Sequence, residues 1–376
     1  EIASNVKKGV TDINTIRKQE EVSIFDNLYL NENLNNWRER WDLINGGDIA
    51  QQKFVSPSKY LFLLNYGRLY KDESVLDHVE KTLDIIAYSG LNDFVEGGFY
   101  RYTVEEQWKI PHFEKMLYDQ AQMISLYSKA FKIFRKDSYM DVVYKTISFL
   151  RSKLASEDNL FFAAMDADTD GEEGKYYSFK EEELKRISGN TDFDLFTSYY
   201  NINLDNPWED DKYLLLPNEY SLENEWVNSN NISSKEFNNL KEEWIERIIE
   251  IKSERTEPRI DDKIIISWNS LAIIGIIDAY EAFKDDEFLD LAIIMFKELR
   301  KKSFRKNKLI HTYKENQFQE GVLEDYAYFS KASMKLFQAT GLQLYFDFSK
   351  KLIDQALEIF KDDNSDLLFY SNNEEL

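Results

Sequence analysis

Apolar positions recur at helical spacing along most of the chain. Val75, Val79, Leu83 and Ile86 form one stripe over 73–88, which Gly90 closes. Pro57 opens a segment with Tyr60, Leu61, Leu64 and Leu69 at similar spacing, and a pattern from Leu28 to Leu43 carries Trp37 and Trp41 before ending at Gly46-Gly47. Residues 4–20 suit a short polar helix. Short β-like runs interrupt the helices: Gly97-Gly98-Phe99-Tyr100-Arg101-Tyr102, Leu160 to Met165, Leu309 to Tyr313, and Leu367 to Tyr370. After the first of these, Pro111 in the favoured first helical position predicts a helix to about Phe134. An amphipathic helix, a strand-like aromatic segment and an apolar helix thus recur as a unit, through 138–154, 286–302 and 343–361. The helices at 267–283 and 322–339 are apolar nearly all round, as inner helices are, whereas 286–302 keeps a polar face. An inner ring wrapped by an outer ring predicts an all-α fold, an α/α toroid with short β-like connectors. Residues 179–257, with Pro207, Pro217 and one long helix at 233–254, read as an elaborated crossover.

In such a toroid the first turns of the inner helices gather free amides and partial positive charge at one end, where chemistry is expected. Composition narrows that chemistry. With 13 glycines and 5 prolines in 376 residues, glycine-rich nucleotide folds and turn-dense β architectures are disfavoured. The absence of cysteine removes disulfides, thiolate nucleophiles and thiolate-metal sites. A net charge of −22, from 69 acidic and 47 basic residues, repels phosphate backbones and anionic lipid, so neither nucleic acid nor membrane is an expected partner. No run of about 18 apolar residues occurs and no signal-peptide core follows Glu1, so the expectation is a soluble, cytoplasmic protein. A first residue other than Met, and an apolar run close to Leu376, suggest a piece of something longer.

The first turns supply the candidates. On a helix begun at Pro111, His112, Lys115 and Asp119 share a face, and a histidine there favours the neutral imidazole of a general base. Asp166, Asp168 and Asp170 before Gly171 match the start of a calcium loop, but the twelfth position is Tyr177 where a bidentate Glu is needed. A hydrogen-bonded loop at the barrel mouth is preferred, with Asp166 or Asp168 on substrate hydroxyls or in acid/base work. No metal or cofactor is expected. Asp262, Glu324 and Asp325 stand at inner-helix starts, where capping alone would explain them. Asn269 and Asp325 are read as facing the pocket, and Trp108, Tyr118, Trp268 and Tyr326 as its aromatic wall. His78 reads as a surface residue; His311, in an aromatic strand-like segment, is within reach of the mouth but is not placed among the site residues.

The run from Gly97 to Tyr102, then Trp108 and Pro111-His112-Phe113-Glu114-Lys115-Met116-Leu117-Tyr118-Asp119-Gln120-Ala121, resembles a signature of the thioredoxin-domain-containing DUF255 family, the spermatogenesis-associated protein 20-like proteins. Asp166-Ala167-Asp168 with Gly171 to Gly174, Asp261-Asp262-Lys263 with Ser267-Trp268-Asn269, and Glu324-Asp325-Tyr326-Ala327 agree in order. The resemblance implies a six-hairpin barrel over 28–376, similar to N-acylglucosamine 2-epimerases and six-hairpin glycosidases, with 1–27 as the linker helix from a thioredoxin-like domain absent from this chain. Two departures stand out: no cysteine carries redox chemistry, and Lys53-Phe54-Val55 replaces the family's Lys-Phe-Pro. The barrel is then either open by a hairpin or completed by residues beyond this chain. The implied function is carbohydrate-directed. For epimerisation or isomerisation His112 would shuttle a proton, with Asp119 or Asp325 orienting it and Lys115 or Arg101 near the oxyanion. For hydrolysis a carboxylate pair drawn from Asp168, Glu114, Asp262 and Asp325 would act as acid and base. The alternative is a non-catalytic scaffold that binds a glycan or a protein, the thioredoxin-like domain included.

Overall fold

The computed structural model describes residues 27–189, 193–217, 220–314, 317–363 and 365–371; the short helix expected over 4–20 and the linker helix over 1–27 lie outside them, Asn27 apart. Contacts divide the chain into two compact units, Glu1–Trp41 and Asp42–Leu376. Of the first, helix α1 (Asn27–Arg38) is described; it ends before Trp41.

The second unit is built from αα-hairpins: α2 (Pro57–Tyr70) with α3 (Glu73–Ala87), α4 (Leu117–Phe134) with α5 (Asp137–Phe149), and, after the crossover, two more. The crossover carries α6 (Glu181–Ser188), α7 (Phe193–Tyr199), α8 (Tyr220–Ser229) and α9 (Ser234–Ser253). Then come α10 (Ile266–Phe283) with α11 (Asp286–Lys302), and α12 (Leu323–Thr340) with α13 (Gln343–Phe360). Each hairpin turns in two residues. The first, at Lys71, Arg135, Lys284 or Gly341, takes the left-handed conformation, and its N–H closes the helix on a carbonyl four residues back. Such a short link leaves the two helices antiparallel and side by side.

Inner helices pack in sequence, α2 on α4, α4 on α10 and α10 on α12, each with its outer partner behind it. Composition follows from that placement. Helix α10 buries Ile266, Ala272, Ile273, Ile274, Ile276 and Ile277 around its circumference, while outer α3 buries one stripe of Val75, Val79, Leu83 and Ile86. The fold is an α/α toroid with short strand connectors, of which the described residues hold four hairpins. The crossover, predicted with one helix, has four among the described residues and a core of its own, with Leu184, Ile187, Phe196, Tyr199, Phe237 and Ile248 around Trp244. Among the described residues no helix is long and apolar enough to cross a membrane.

His78 is a correction: it is 5% exposed, on the buried side of α3. Burial, helped by the charge of Lys59, lowers its pKa to about 4. A histidine whose folded pKa lies below the unfolded value stabilises the fold above about 6.5 and loses that contribution as pH falls towards 4. Between pH 7 and pH 4.5 the loss should be about 2 kcal/mol and be absent in His78→Gln, as read by urea unfolding of both proteins at the two pH values. Equal acid losses would refute this.

Candidate active site

The inner-helix N-termini share a construction. In α4 the fourth residue, Gln120, reaches back to the preceding connector, accepting from the Phe99 N–H and donating to the Phe99 carbonyl, both at 2.7 Å. In α10 the fourth residue, Asn269, holds Phe161 in the same way at 2.8 and 2.9 Å. In α12 the fourth residue, Tyr326, accepts from Leu309 N–H at 3.1 Å. Close approach at the first clamp requires Gly98 (φ 81°), where a Cβ would stand 2.8 Å from the Phe149 ring and 3.0 Å from the Gln120 amide oxygen. The clamps align the repeats. Two residues beyond the clamped position stand Arg101, Ala163 and His311, and the third helical residues are Asp119, Trp268 and Asp325. This register brings Arg101 to Asp119 and His311 to Asp325 as equivalent pairs.

Around Arg101, Nη1 donates to Glu114 at 3.0 Å and the guanidinium also bonds Tyr118. Asp119 lines a cavity of about 210 Å³ with Phe54, Pro57, Tyr100, Arg101, Tyr118 and Met123. Burial pushes its carboxyl up to about 7 against the pull of Arg101, and its Oδ2 has no hydrogen-bond partner among the described residues. His112 stacks on Tyr102 with ring centroids 5.0 Å apart, and Tyr102 stacks on Phe54 at 4.6 Å. The His112 Nδ1 donates to Glu173 at 2.6 Å. Glu173 arrives on a two-stranded hairpin, Asp168–Thr169 paired with Glu172–Glu173, whose turn residues Asp170 and Gly171 both have positive φ (55° and 79°). Asp-Gly is the preferred dipeptide for that turn, so the calcium-like spacing is a hairpin signal here, and Asp168 lies exposed on its strand. Asp166 gives its backbone N–H to the Arg259 carbonyl.

The other half centres on Asp325, fully buried. Its oxygens accept from Ser267 N–H at 3.0 Å and Val322 N–H at 2.9 Å, and His311 Nδ1 donates across both at 2.9 and 3.1 Å. Glu324 accepts from the Ser267 hydroxyl. The hydrogen bond to Asp325 raises the His311 pKa, with burial opposing. His311, Glu324 and Asp325 approach within 4.8 Å, close enough by distance alone for a cation. Donors already fill both Asp325 oxygens, so the set is a histidine–carboxylate dyad braced by backbone amides. Tyr118 meets Trp268 edge-on at 4.8 Å and joins the two halves.

Several expected contacts fall elsewhere. The strand pair Tyr102–Thr103 with Pro111–His112, and that of Lys115–Met116 with Ala164–Met165, claim the backbone of 111–116, so α4 starts at Leu117 and the shared helical face of His112, Lys115 and Asp119 does not exist. Trp108, Lys115, Asn269 and Tyr326 are enclosed and their polar atoms satisfied internally, which makes them frame rather than ligand contacts. Asp262 is exposed and bonds Lys314. Sequence reading missed Glu173 as the partner of His112, and Asp325 as that of His311; the hairpin signal at Asp170-Gly171 was the available clue to the first.

The chain matches human spermatogenesis-associated protein 20 at 28% identity over 375 residues, 89% of this chain and 48% of that protein. The chain is a homologue of spermatogenesis-associated protein 20. The mouse protein of that name matches at 26% over 374 residues, 89% of this chain and 47% of its own length, so the chain spans about half of these relatives. No family model matches. Among solved structures, a D-mannose isomerase superposes with a TM-score of 0.56 at 10% identity, covering 93% of this chain and 76% of that one, a likeness of fold.

Proposed function

We propose that this chain binds a sugar at the N-terminal end of its inner helices and transfers a proton on it, as a sugar isomerase or epimerase does. The observation that carries the reading is the His311–Asp325 dyad. With Nδ1–H donated to a carboxylate held by two backbone amides, the imidazole is fixed in one tautomer, and Nε2 is its basic nitrogen. His311 lines a cavity of about 570 Å³, within the range of roughly 300–1,000 Å³ common for small-molecule sites. A neutral Nε2 there would take the proton α to an open-chain carbonyl. In the equivalent half, Arg101 and a carboxyl raised to about 7 line a separate cavity of about 210 Å³ and offer a cation and an acid of the kind a carbonyl oxygen requires. The toroid likeness to D-mannose isomerase is consistent with this reading. Asp119 also favours a second reading, glycoside hydrolysis, because a carboxyl with a raised pKa is what a general acid requires.

One assay separates these. Incubated in D2O with D-mannose, D-glucose or D-fructose, the protein should exchange the hydrogen next to the carbonyl, followed by proton NMR, and His311→Ala should slow exchange by about 10²–10⁴-fold. Exchange that survives His311→Ala overturns the assignment. Release of phenol from aryl glycosides, lost in Asp119→Asn, would install the hydrolase reading, and binding without turnover the scaffold.

A further inference from the structure

The cavity beside His311 differs from the rest of an acidic molecule. It is lined by Lys263, Ile265, His311, Thr312, Lys314, Phe318 and Gln319, with no carboxylate among them, in a chain of 69 acidic and 47 basic residues. The backbone makes it so. Strand Lys308–Lys314 pairs with Ile264–Ile265 on one side and Gln317–Glu320 on the other. Its register against the second shifts between Ile310 and Tyr313. Regular alternation would send His311 and Thr312 to opposite faces; the bulge lets both line one cavity. Such irregularities re-aim side chains and are common next to functional sites. Lys263 and Lys314 stand around this pair with half-exposed side chains.

We propose that this cavity receives the anionic substituent, a phosphate or a carboxylate, of the sugar that the site takes. The inference rests on the reading that the His311 end binds a sugar, and it narrows the substrate class to sugar phosphates and uronates. Two ammonium groups and the Gln319 amide line the cavity as donors of the kind that phosphate and carboxylate oxygens accept, and the Thr312 hydroxyl, which donates to the Gln319 amide oxygen at 3.5 Å, leaves the amide nitrogen as that side chain's donor. Both lysines are held by neighbours, Lys263 by Asp261 at 2.9 Å and Lys314 by Asp262. These pairs are solvent-exposed and individually weak, so an incoming phosphate or carboxylate can compete with them for the two ammonium groups.

Calorimetric titration of the whole chain with D-mannose, D-mannose 6-phosphate, D-glucuronate and inorganic phosphate tests this. Mannose 6-phosphate or glucuronate should bind at least tenfold more tightly than mannose, and whichever of the two does so identifies the anion. The doubly substituted Lys263→Gln/Lys314→Gln protein, with an unchanged melting temperature in the absence of ligand, should lose that advantage while its affinity for mannose holds. Equal affinities for neutral and charged sugars, or a double variant that keeps the preference, overturn the anion site and leave the sugar reading standing. If no sugar of either kind binds, both fall. Inorganic phosphate binding as well as mannose 6-phosphate, with mannose silent, overturns the sugar-linked form of the proposal.

Discussion

Lys115→Ala is expected to lower the unfolding free energy by about 3–5 kcal/mol, the usual cost of removing one partner from a buried ion pair. Lys115 is fully enclosed, and its ammonium donates to Asp93 at 2.7 Å and to the Gly97 carbonyl at 2.9 Å. Aromatic faces close the remaining sides, with Phe149 at 4.4 Å and Tyr100 at 4.9 Å from the nitrogen. Burial alone would raise the Asp93 carboxyl, but Lys115 and Lys252 hold it well below the ordinary carboxylate range, so the pair is ionised. Without Lys115 the carboxylate keeps the field of Lys252, and that lysine is already engaged with Glu96. The double substitution Lys115→Met with Asp93→Asn should therefore cost less than Lys115→Ala, because no uncompensated charge stays behind. Urea unfolding of the three proteins measures this. A loss below about 1 kcal/mol for Lys115→Ala would mean that water reaches the site.

The enclosed lysine shows where sequence stops being informative. Spacing identifies a residue's neighbours along one element, and on that basis Lys115 belonged to a polar helical face. What decides its environment is Asp93, twenty-two positions earlier, on a connector whose path depends on Gly97 and Gly98. The hairpins were legible because inner and outer helices differ in how far their apolar residues extend around the axis, as in α10 and α3. The start of α4 was not, since Pro111 suits a first helical turn and an edge strand equally, and cross-strand pairing with Thr103 made the choice. Acidic residues at the start of α12 were explicable as caps, and Asp325 does accept from Val322 N–H; its second role depends on a strand fourteen residues away. The dyad's place in the chain follows from the repeat, in which Gln120, Asn269 and Tyr326 clamp equivalent backbone positions.

Asp325→Asn should shift one histidine titration and leave the other two in place. The chain has three histidines, His78, His112 and His311, so the imidazole proton resonances can be followed individually by NMR. The hydrogen bond to Asp325 is the main cause of the raised His311 pKa, with burial opposing it. An amide in its place carries no charge, so the His311 titration should move to lower pH. A group whose folded pKa exceeds its unfolded value stabilises the fold below the unfolded pKa, near 6.5, and loses that contribution as pH rises through the folded value. The variant lacks this contribution, so its deficit in unfolding free energy should be larger at pH 6 than at pH 8.5. A further loss of about 1–3 kcal/mol should persist at both, because an amide offers one acceptor where two backbone N–H groups, from Ser267 and Val322, now need one. If neutral His311 is the base in sugar exchange, the acidic limb of the rate profile should follow the titration downward, while a merely structural Asp325 would leave that limb fixed. An unmoved His311 resonance in Asp325→Asn would break the dyad assignment, and the proton-transfer mechanism with it.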